Sequence, residues 1–288
     1  MNDAEVTNAL QPWIESMGRA AWRPTVAAGE DASTMSRFGG PSWLYPTETV
    51  PLCGQCRRPL QQFLQLDLDL LPAGFSATNG GGLLQFFYCL GTETCDTGVP
   101  LDAALTDFPD CSGDYAYEPF SPNSLVRVVE SAAVAPRGIP GLGQGQFGSA
   151  VIVDWEPFVD LPDPEDHPAF GLSCTINDYD DFNERAVPYS MLDQRVTCSS
   201  VGLETVASHA FHLSQVCRAA DGDKLAGWPR WIQGAERPEC PLCGQQMEVL
   251  FQVDSEDHVP FMFGDAGIGH ITQCSQHPKI VTFAWACS

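Results

Sequence analysis

Basic residues are scarce in this chain of 288 residues. It holds 14 Lys and Arg against 37 Asp and Glu, for a formal net charge of -23, and Lys224 and Lys279 are its two lysines. Because an acidic surface repels phosphate, this balance disfavours direct binding to nucleic acid or to an anionic membrane. Two explanations of the acidity stay open, a basic protein partner or a proteome adapted to high salt.

Long apolar runs are missing as well. No stretch of the sequence reaches the roughly 18 uninterrupted apolar residues that a membrane-spanning helix needs. Residues 1–13 carry Asp3 and Glu5 where a secretory leader would carry basic residues, and no apolar segment follows. We therefore expect a soluble, cytoplasmic protein, in which clustered cysteines bind metal instead of forming disulfides.

Glycine and proline are frequent, with 26 and 23 residues. This composition favours short elements joined by tight turns and disfavours a helical bundle. Apolar spacing predicts two peripheral helices, at 5–20 and 203–217, and strand-like runs lie at 124–130, 151–155 and 171–176. The predicted fold class is β-rich α+β.

Two distant segments of the chain share a string of unusual residues in the same order. Each holds a basic residue, a tryptophan, a Cys-x2-Cys pair, a glutamine and an aspartate: Arg37, Trp43, Cys53, Cys56, Gln65 and Asp67 in the first, and Lys224, Trp231, Cys240, Cys243, Gln252 and Asp254 in the second. The first cysteine of each pair is offset by 187 positions, and so is the glutamine. This order predicts an internal duplication, that is, two related β-rich zinc-containing halves about a pseudo-two-fold axis.

The duplication divides the chain into four predicted regions. An N-terminal helical segment covers 1–36, a first repeat 37–115, an acidic middle region 116–221 and a second repeat 222–288. Each repeat continues into a Gly-rich and then apolar stretch that ends in cysteine, which is typical of a β-strand.

Each repeat also offers clustered soft ligands for a zinc ion. The candidates are Cys53, Cys56, Cys89 and Cys95 in the first site, and Cys240, Cys243, Cys274 and either His277 or Cys287 in the second. Turn geometry favours His277 over Cys287. Four protein ligands leave no coordination position for water or substrate, so the pattern predicts up to two structural zinc ions and no catalytic metal. Since the sequence also lacks a convincing catalytic motif, we expect a protein that is not an enzyme.

Two sets of residues are candidates for contact with a partner. From 154 to 185 the chain has ten acids against Arg185 alone, and this run is either a solvated loop or a docking surface, with Asp178, Asp180 and Asp181 as the candidate contact residues. Three tryptophans beside turns either line a partner-binding groove or are packed beneath the turns, and they are Trp43, Trp228 and Trp231.

These motifs carry a resemblance to a known family. The segments 38–41, 63–67 and 227–233, together with the first Cys-x2-Cys pair, resemble the bacterial YwqG-like family of unknown function. The resemblance covers about residues 37–115 and 222–288. More distantly, 39–44 and the cysteine pair are similar to programmed cell death protein 2.

The resemblance implies a role. The wider group is thought to include chaperones that escort a newly made small-subunit ribosomal protein, so it implies a basic ribosomal client for this acidic chain. Two alternatives remain: an immunity or antitoxin-like protein that neutralises a basic toxin, and a small-molecule or hydrolytic enzyme that uses a groove between the repeats.

Overall fold

A computed structural model describes most of the chain, namely residues 1–29, 35–45, 48–75, 81–91, 115–130, 147–166, 171–176 and 193–288. These residues form two compact units. The first unit comprises Met1–Ala21, Val159–Asp221 and Gly227–Ala235. The second comprises Trp22–Phe158, Gly222–Ala226 and Glu236–Ser288.

The described elements are mostly strands. In chain order they are α1 (Asp3–Ser16), β1 (Arg19–Ala28), β2 (Arg37–Phe38), β3 (Gln61–Asp67), β4 (Leu83–Tyr88), β5 (Ser124–Val129), β6 (Ala150–Asp160), β7 (Leu172–Ile176), β8 (Gln194–Cys198), β9 (Leu203–Ala207), β10 (Lys224–Ala226), β11 (Glu248–Asp254), β12 (Ile268–Gln273) and β13 (Val281–Ala286). Short 3-10 turns lie at Leu68–Leu70, Ser199–Val201 and Leu213–Gln215. The β-rich class and the predicted strands at β4, β5, β6, β7 and β12 are confirmed.

The first unit packs helix α1 with an antiparallel sheet of order β7-β8-β9. A capping box starts the helix, because the Asn2 side chain accepts from the Glu5 backbone N–H at 3.0 Å while Glu5 accepts from that of Asn2 at 2.9 Å. Val6, Leu10 and Ile14 are fully buried on one face, at the four-residue spacing that aligns side chains along a helix. The helix predicted at 5–20 is thus confirmed in large part, except that its end belongs to β1.

The second predicted helix, at 203–217, is wrong. Residues 203–207 form β9, which pairs along its whole length with β8. The apolar spacing of Val206, Ala210 and Leu213 is typical of a helix, but the side chains of 203–207 also alternate in exposure, as in a strand. Because this segment pairs with a strand 5 to 13 residues away in the chain, it forms a strand.

The second unit holds a ten-stranded sheet, except that residues 19–21 of β1 and 159–160 of β6 belong to the first unit. Its order is β13-β12-β11-β10-β1-β6-β2-β3-β4-β5. The sheet is nearly closed, because the two edge strands β5 and β13 lie against each other. Near this seam the Trp285 backbone N–H donates to the Tyr117 carbonyl at 3.0 Å.

Aromatic side chains fill the core of the second unit. Phe63 and Phe86 pack with ring centroids 5.4 Å apart, and Phe86 and Phe283 lie 4.2 Å apart. Strands β4 and β12 are buried on both faces. Such a core supplies a large apolar area for folding, at about 25 cal/mol per Å² removed from water.

The sheet has two arms that match in detail, β2-β3-β4-β5 and β10-β11-β12-β13. Arg37 faces Gln65 as Lys224 faces Gln252, and the β3–β4 and β11–β12 pairs each shift register at the corresponding place. An isolated bridge also stands just before each arm's second strand, Leu52 with Pro59 and Glu239 with Gln246.

None of the described helices is long and apolar enough to cross a membrane.

Candidate metal centres

The first cysteine cluster lies where the turn before β3 meets the end of β4. The turn closes through two backbone hydrogen bonds, in which Cys53 N–H donates to the Arg58 carbonyl at 2.8 Å and Arg57 N–H donates to that of Cys53 at 3.0 Å. This presents Cys53 and Cys56 on one side, where Cys89 follows β4. The three sulfur atoms lie within 4.8 Å of one another, and Cys56 and Cys89 Sγ are 3.5 Å apart.

The surroundings of Cys53 favour its thiolate form. A hydrogen bond with the Cys89 thiol lowers the pKa of Cys53 to about 5, against the opposing effect of burial, and backbone N–H groups of the turn add to the lowering. The Gly91 N–H also donates to Cys89 Sγ at 3.3 Å. Because the thiolate is the form of cysteine that binds metal, this arrangement favours binding of a metal cation.

The second cluster repeats this construction before β11 and after β12. Cys240 N–H donates to the Gln245 carbonyl at 2.8 Å, and Gly244 N–H donates to that of Cys240 at 2.8 Å. The cluster unites Cys240 and Cys243 with Cys274 and His277, and its four ligand atoms lie within 4.8 Å of one another.

His277 occupies the fourth position of this cluster. Its Nδ1 lies 3.6 Å from Cys240 Sγ and 3.6 Å from Cys274 Sγ, and Cys243 and Cys274 Sγ are 3.7 Å apart. Cys287, the other candidate, lies against Gly264, where an added Cβ would stand 2.6 Å from its sulfur. Although burial opposes it, backbone N–H groups of Leu242 and Cys243 lower the pKa of Cys240 to about 7.

Both clusters could hold a metal ion. Three thiols and one imidazole, or three thiols together, are soft donors of the kind that Zn²⁺ prefers. The predicted fourth ligand of the first cluster, Cys95, lies outside the described residues. Among the described neighbours of this cluster, Asn123 Oδ1 accepts a hydrogen bond from Cys53 Sγ at 3.3 Å.

Sequence reasoning missed a third cluster, formed by Asp223, Asp257 and His258. The buried Asp223 carboxylate lies 2.8 Å from His258 Nδ1, and that ring stacks on Phe38 with centroids 4.6 Å apart. Burial raises the pKa of Asp223 to about 6. Asp223 and His258 are 35 positions apart in the sequence. The acidic residues of Asp221-Gly222-Asp223, just before a strand, are the one signal that could have indicated this cluster.

The three tryptophans proposed for partner contact are buried. Trp43 in the second unit is 2 % exposed, and Gln85 Nε2 donates to its carbonyl at 2.8 Å. In the first unit, Trp228 and Trp231 are 8 % and 4 % exposed. This burial fits the packing alternative, and a partner would have to expose these rings before touching them.

The acidic run is in part a scaffold of the first unit. Asp160, Asp163 and Asp166 are at most 2 % exposed. Asp160 Oδ2 accepts from the Trp228 N–H at 3.0 Å, and Asp166 Oδ2 accepts from Trp231 Nε1 at 3.0 Å. Asp163 Oδ2 accepts from Arg230 Nη1 at 3.1 Å. At these three positions the expectation of a solvated or docking face is wrong, because the carboxylates are buried and accept hydrogen bonds within the unit. The predicted contact residues Asp178, Asp180 and Asp181 lie outside the described residues.

A comparison with protein-family models places residues 36–276 in one family. The chain belongs to DUF1963, a domain of unknown function. The match covers all six cysteines of the two clusters and ends at residue 276, just before His277 and strand β13. A search of curated proteins finds no match.

Proposed function

We propose that this DUF1963 chain is a non-enzymatic, cytoplasmic protein-binding module, stabilised by two structural zinc ions, that binds a basic protein in the manner of an escort chaperone. The observation that carries the binding role is the net charge of -23. An acidic protein attracts a basic one over a distance of about a Debye length and screens its charge before assembly.

The zinc assignment is supported by the donor set of the second cluster. Cys240, Cys243, Cys274 and His277 bring four ligand atoms within 4.8 Å of one another, the number that a tetrahedral zinc shell requires. A closed shell leaves no coordination position for a reacting water, and the free energy of metal binding then contributes to the stability of the fold. This is the basis for a structural rather than a catalytic ion.

We attribute the matched arms of the sheet to an internal duplication. The cysteine turns correspond hydrogen bond by hydrogen bond: Leu60 N–H donates to the Pro51 carbonyl and Met247 N–H to that of Pro238, both at 2.8 Å. A shared offset of 187 positions covers these turns and the bulges that follow them.

The non-enzymatic assignment is supported by the chemistry of a pocket in the second unit. A cavity of about 270 Å³ lies beside the first cysteine turn, with Leu52, Arg57, Phe120 and Val126 among its lining residues. Among the described residues of that lining Arg57 is the one titratable side chain, so the pocket offers no general base to activate the hydroxyls of Ser121, Ser124 and Thr282. The third cluster, at Asp223 and His258, is not part of it.

A ribosomal protein is the partner that the resemblance to the YwqG-like family and programmed cell death protein 2 suggests. Such proteins are strongly basic, which matches the acidity of this chain. The same electrostatics would serve a neutraliser of a basic toxin.

Affinity capture tests the role. The zinc-loaded, tagged chain is used to capture proteins from its own cell lysate at low salt after nuclease treatment, and bound proteins are identified before and after a salt wash. Recovery of one unassembled basic protein that salt releases is expected. A ribosomal protein would favour the escort role and a toxin the neutraliser role, whereas capture of no basic protein would contradict both.

A further inference from the structure

Two neighbouring tyrosines in the second unit present aromatic surface to solvent. Tyr115 and Tyr117 are 40 % and 43 % exposed. Their rings stack with centroids 5.2 Å apart and an interplanar angle of 9°. We call this pair the tyrosine platform. Exposed apolar surface that is rimmed by polar groups often marks an interaction site.

The platform is held in place from the sheet side. The Tyr117 carbonyl accepts from the Trp285 backbone N–H at 3.0 Å, and the Trp285 ring meets that of Tyr117 edge-on, 5.9 Å away. Trp285 is itself fixed, since its Nε1 donates to Tyr88 Oη at 2.9 Å. The two tyrosines therefore sit on a rigid support, which lowers the entropy cost of binding to them.

The carboxylate of Glu118 borders the same platform. Glu118 Oε2 accepts from the Tyr115 backbone N–H at 3.0 Å, and Glu236 is exposed. Their field reaches the ring hydroxyl: partial burial and the negative charges of Glu118 and Glu236 raise the pKa of Tyr117. Aromatic faces next to carboxylates form a surface complementary to a cation.

We propose that the tyrosine platform, with the adjacent Glu118, docks arginine side chains of the basic partner. This inference rests on the proposed function and names the feature of the partner that is recognised. A guanidinium group is planar, stacks on aromatic rings and pairs with a carboxylate through two N–H donors, whereas a lysine ammonium is a compact, strongly hydrated point charge. The platform therefore prefers arginine over lysine at equal charge.

The test measures binding of two labelled octapeptides, oligoarginine and oligolysine, to the full zinc-loaded chain by fluorescence anisotropy at low salt. The first variant, Tyr115→Leu with Tyr117→Leu, keeps apolar volume and removes the aromatic faces. The second, Glu118→Gln with Glu236→Gln, removes two charges and keeps a hydrogen-bond acceptor at Glu118.

Matched controls lie elsewhere on the second unit. Tyr45→Leu removes a tyrosine that is also 40 % exposed. Asp154→Asn with Glu156→Gln removes two exposed charges on β6. Thermal unfolding of each variant shows whether it folds, so a loss of binding can be separated from a loss of structure.

The wild-type chain is expected to bind oligoarginine about 5- to 10-fold more tightly than oligolysine, and the leucine variant should lose this preference while both controls keep it. The Glu118→Gln with Glu236→Gln variant should weaken both peptides more than the β6 control does. Equal affinity for the two peptides, unchanged in the leucine variant, would overturn the platform and leave a general charge-based role intact. If neither peptide bound the wild-type chain, the result would instead contradict the proposed basic partner, and the platform with it.

Discussion

His277 stands beside Cys240 and Cys274 in the second cluster, while Cys287 lies against Gly264. The sequence left both open as the fourth ligand, because two residues at different distances from Cys274 can each reach a common ion if the chain turns suitably. The turn after β12 decides: the Ile280 N–H donates to the His277 carbonyl at 2.7 Å and so directs the chain back past the cluster.

Replacing His277 by Ala should therefore remove about one zinc equivalent per chain and lower the melting temperature, since metal binding contributes free energy of folding. His277→Cys should restore the ion, because a fourth thiolate also suits Zn²⁺. Zinc is measured by atomic emission on reduced, dialysed protein. Cys287→Ser is the control, and loss of zinc in that variant instead would assign the site to Cys287.

The pair of Asp223 and His258 gives the second unit a pH dependence. Although burial opposes it, the carboxylates of Asp223 and Asp257 raise the pKa of His258. A histidine whose pKa is raised on folding stabilises the fold fully below about 6.5, and this contribution is lost as pH rises through its folded value. Burial of Asp223, whose pKa is about 6, acts in the same direction over a lower range, from about 4 to 6.

His258→Gln should consequently cost more stability at pH 6 than at pH 8, by about 1 kcal/mol or less. Denaturant unfolding at both pH values measures this difference against the wild type, which cancels the pH dependence of the metal clusters. A cost that is the same at the two pH values would show that His258 contributes only by stacking on Phe38.

At the scale of the element, the two cysteine turns use different residues for the same backbone conformation. Gly244 has a φ of 69°, and Arg57 at the corresponding place has a φ of 61°. The left-handed region suits glycine and strains other residues by about 1–2 kcal/mol. The second turn is thus the less strained of the two.

Gly244→Ala should destabilise the protein by about 1 kcal/mol without loss of zinc. No atom lies within 4 Å of a Cβ added there, so the cost is one of backbone conformation alone. Gly148→Ala is the matched control, because Gly148 also has open space around it but no positive φ. Equal stability of the two variants in urea would contradict this account.

Elements with strong local signals could be predicted from the sequence. Strand β4 is a nearly continuous apolar run, and α1 has a capping box followed by regularly spaced apolar residues. Strand β9 could not, because Leu203–Ala207 follows helical and strand spacing alike and depends on its partner β8. The cluster of Asp223 with His258 depends on a contact between distant positions, which no local pattern encodes.

At the scale of the whole molecule, net charge acts on a partner before the two surfaces touch, because electrostatic attraction has the longest range. The net charge of -23 predicts fast, salt-sensitive association with a basic protein. Binding of such a partner should weaken at least about tenfold between low salt and physiological ionic strength, where the Debye length is about 8 Å. Surface plasmon resonance at several salt concentrations measures it, and an affinity that does not change with salt would exclude the acidic surface as the cause.

The sequence predicted two cysteine sites and an acidic surface, but not which acids face solvent. Asp160, Asp163 and Asp166 belong to an acidic run, yet all three are buried, and Asp160 and Asp166 accept buried hydrogen bonds from Trp228 and Trp231. Composition gives the sum of the charges, whereas folding decides which of them are available to a partner.

Native mass spectrometry of the chain, purified under reducing conditions without chelator, tests the central claim that metal holds this fold together. We predict a folded species that carries two zinc ions and that unfolds, with a broad charge-state distribution, when a chelator removes them. A compact, metal-free chain that keeps its melting temperature in the presence of chelator would contradict the account.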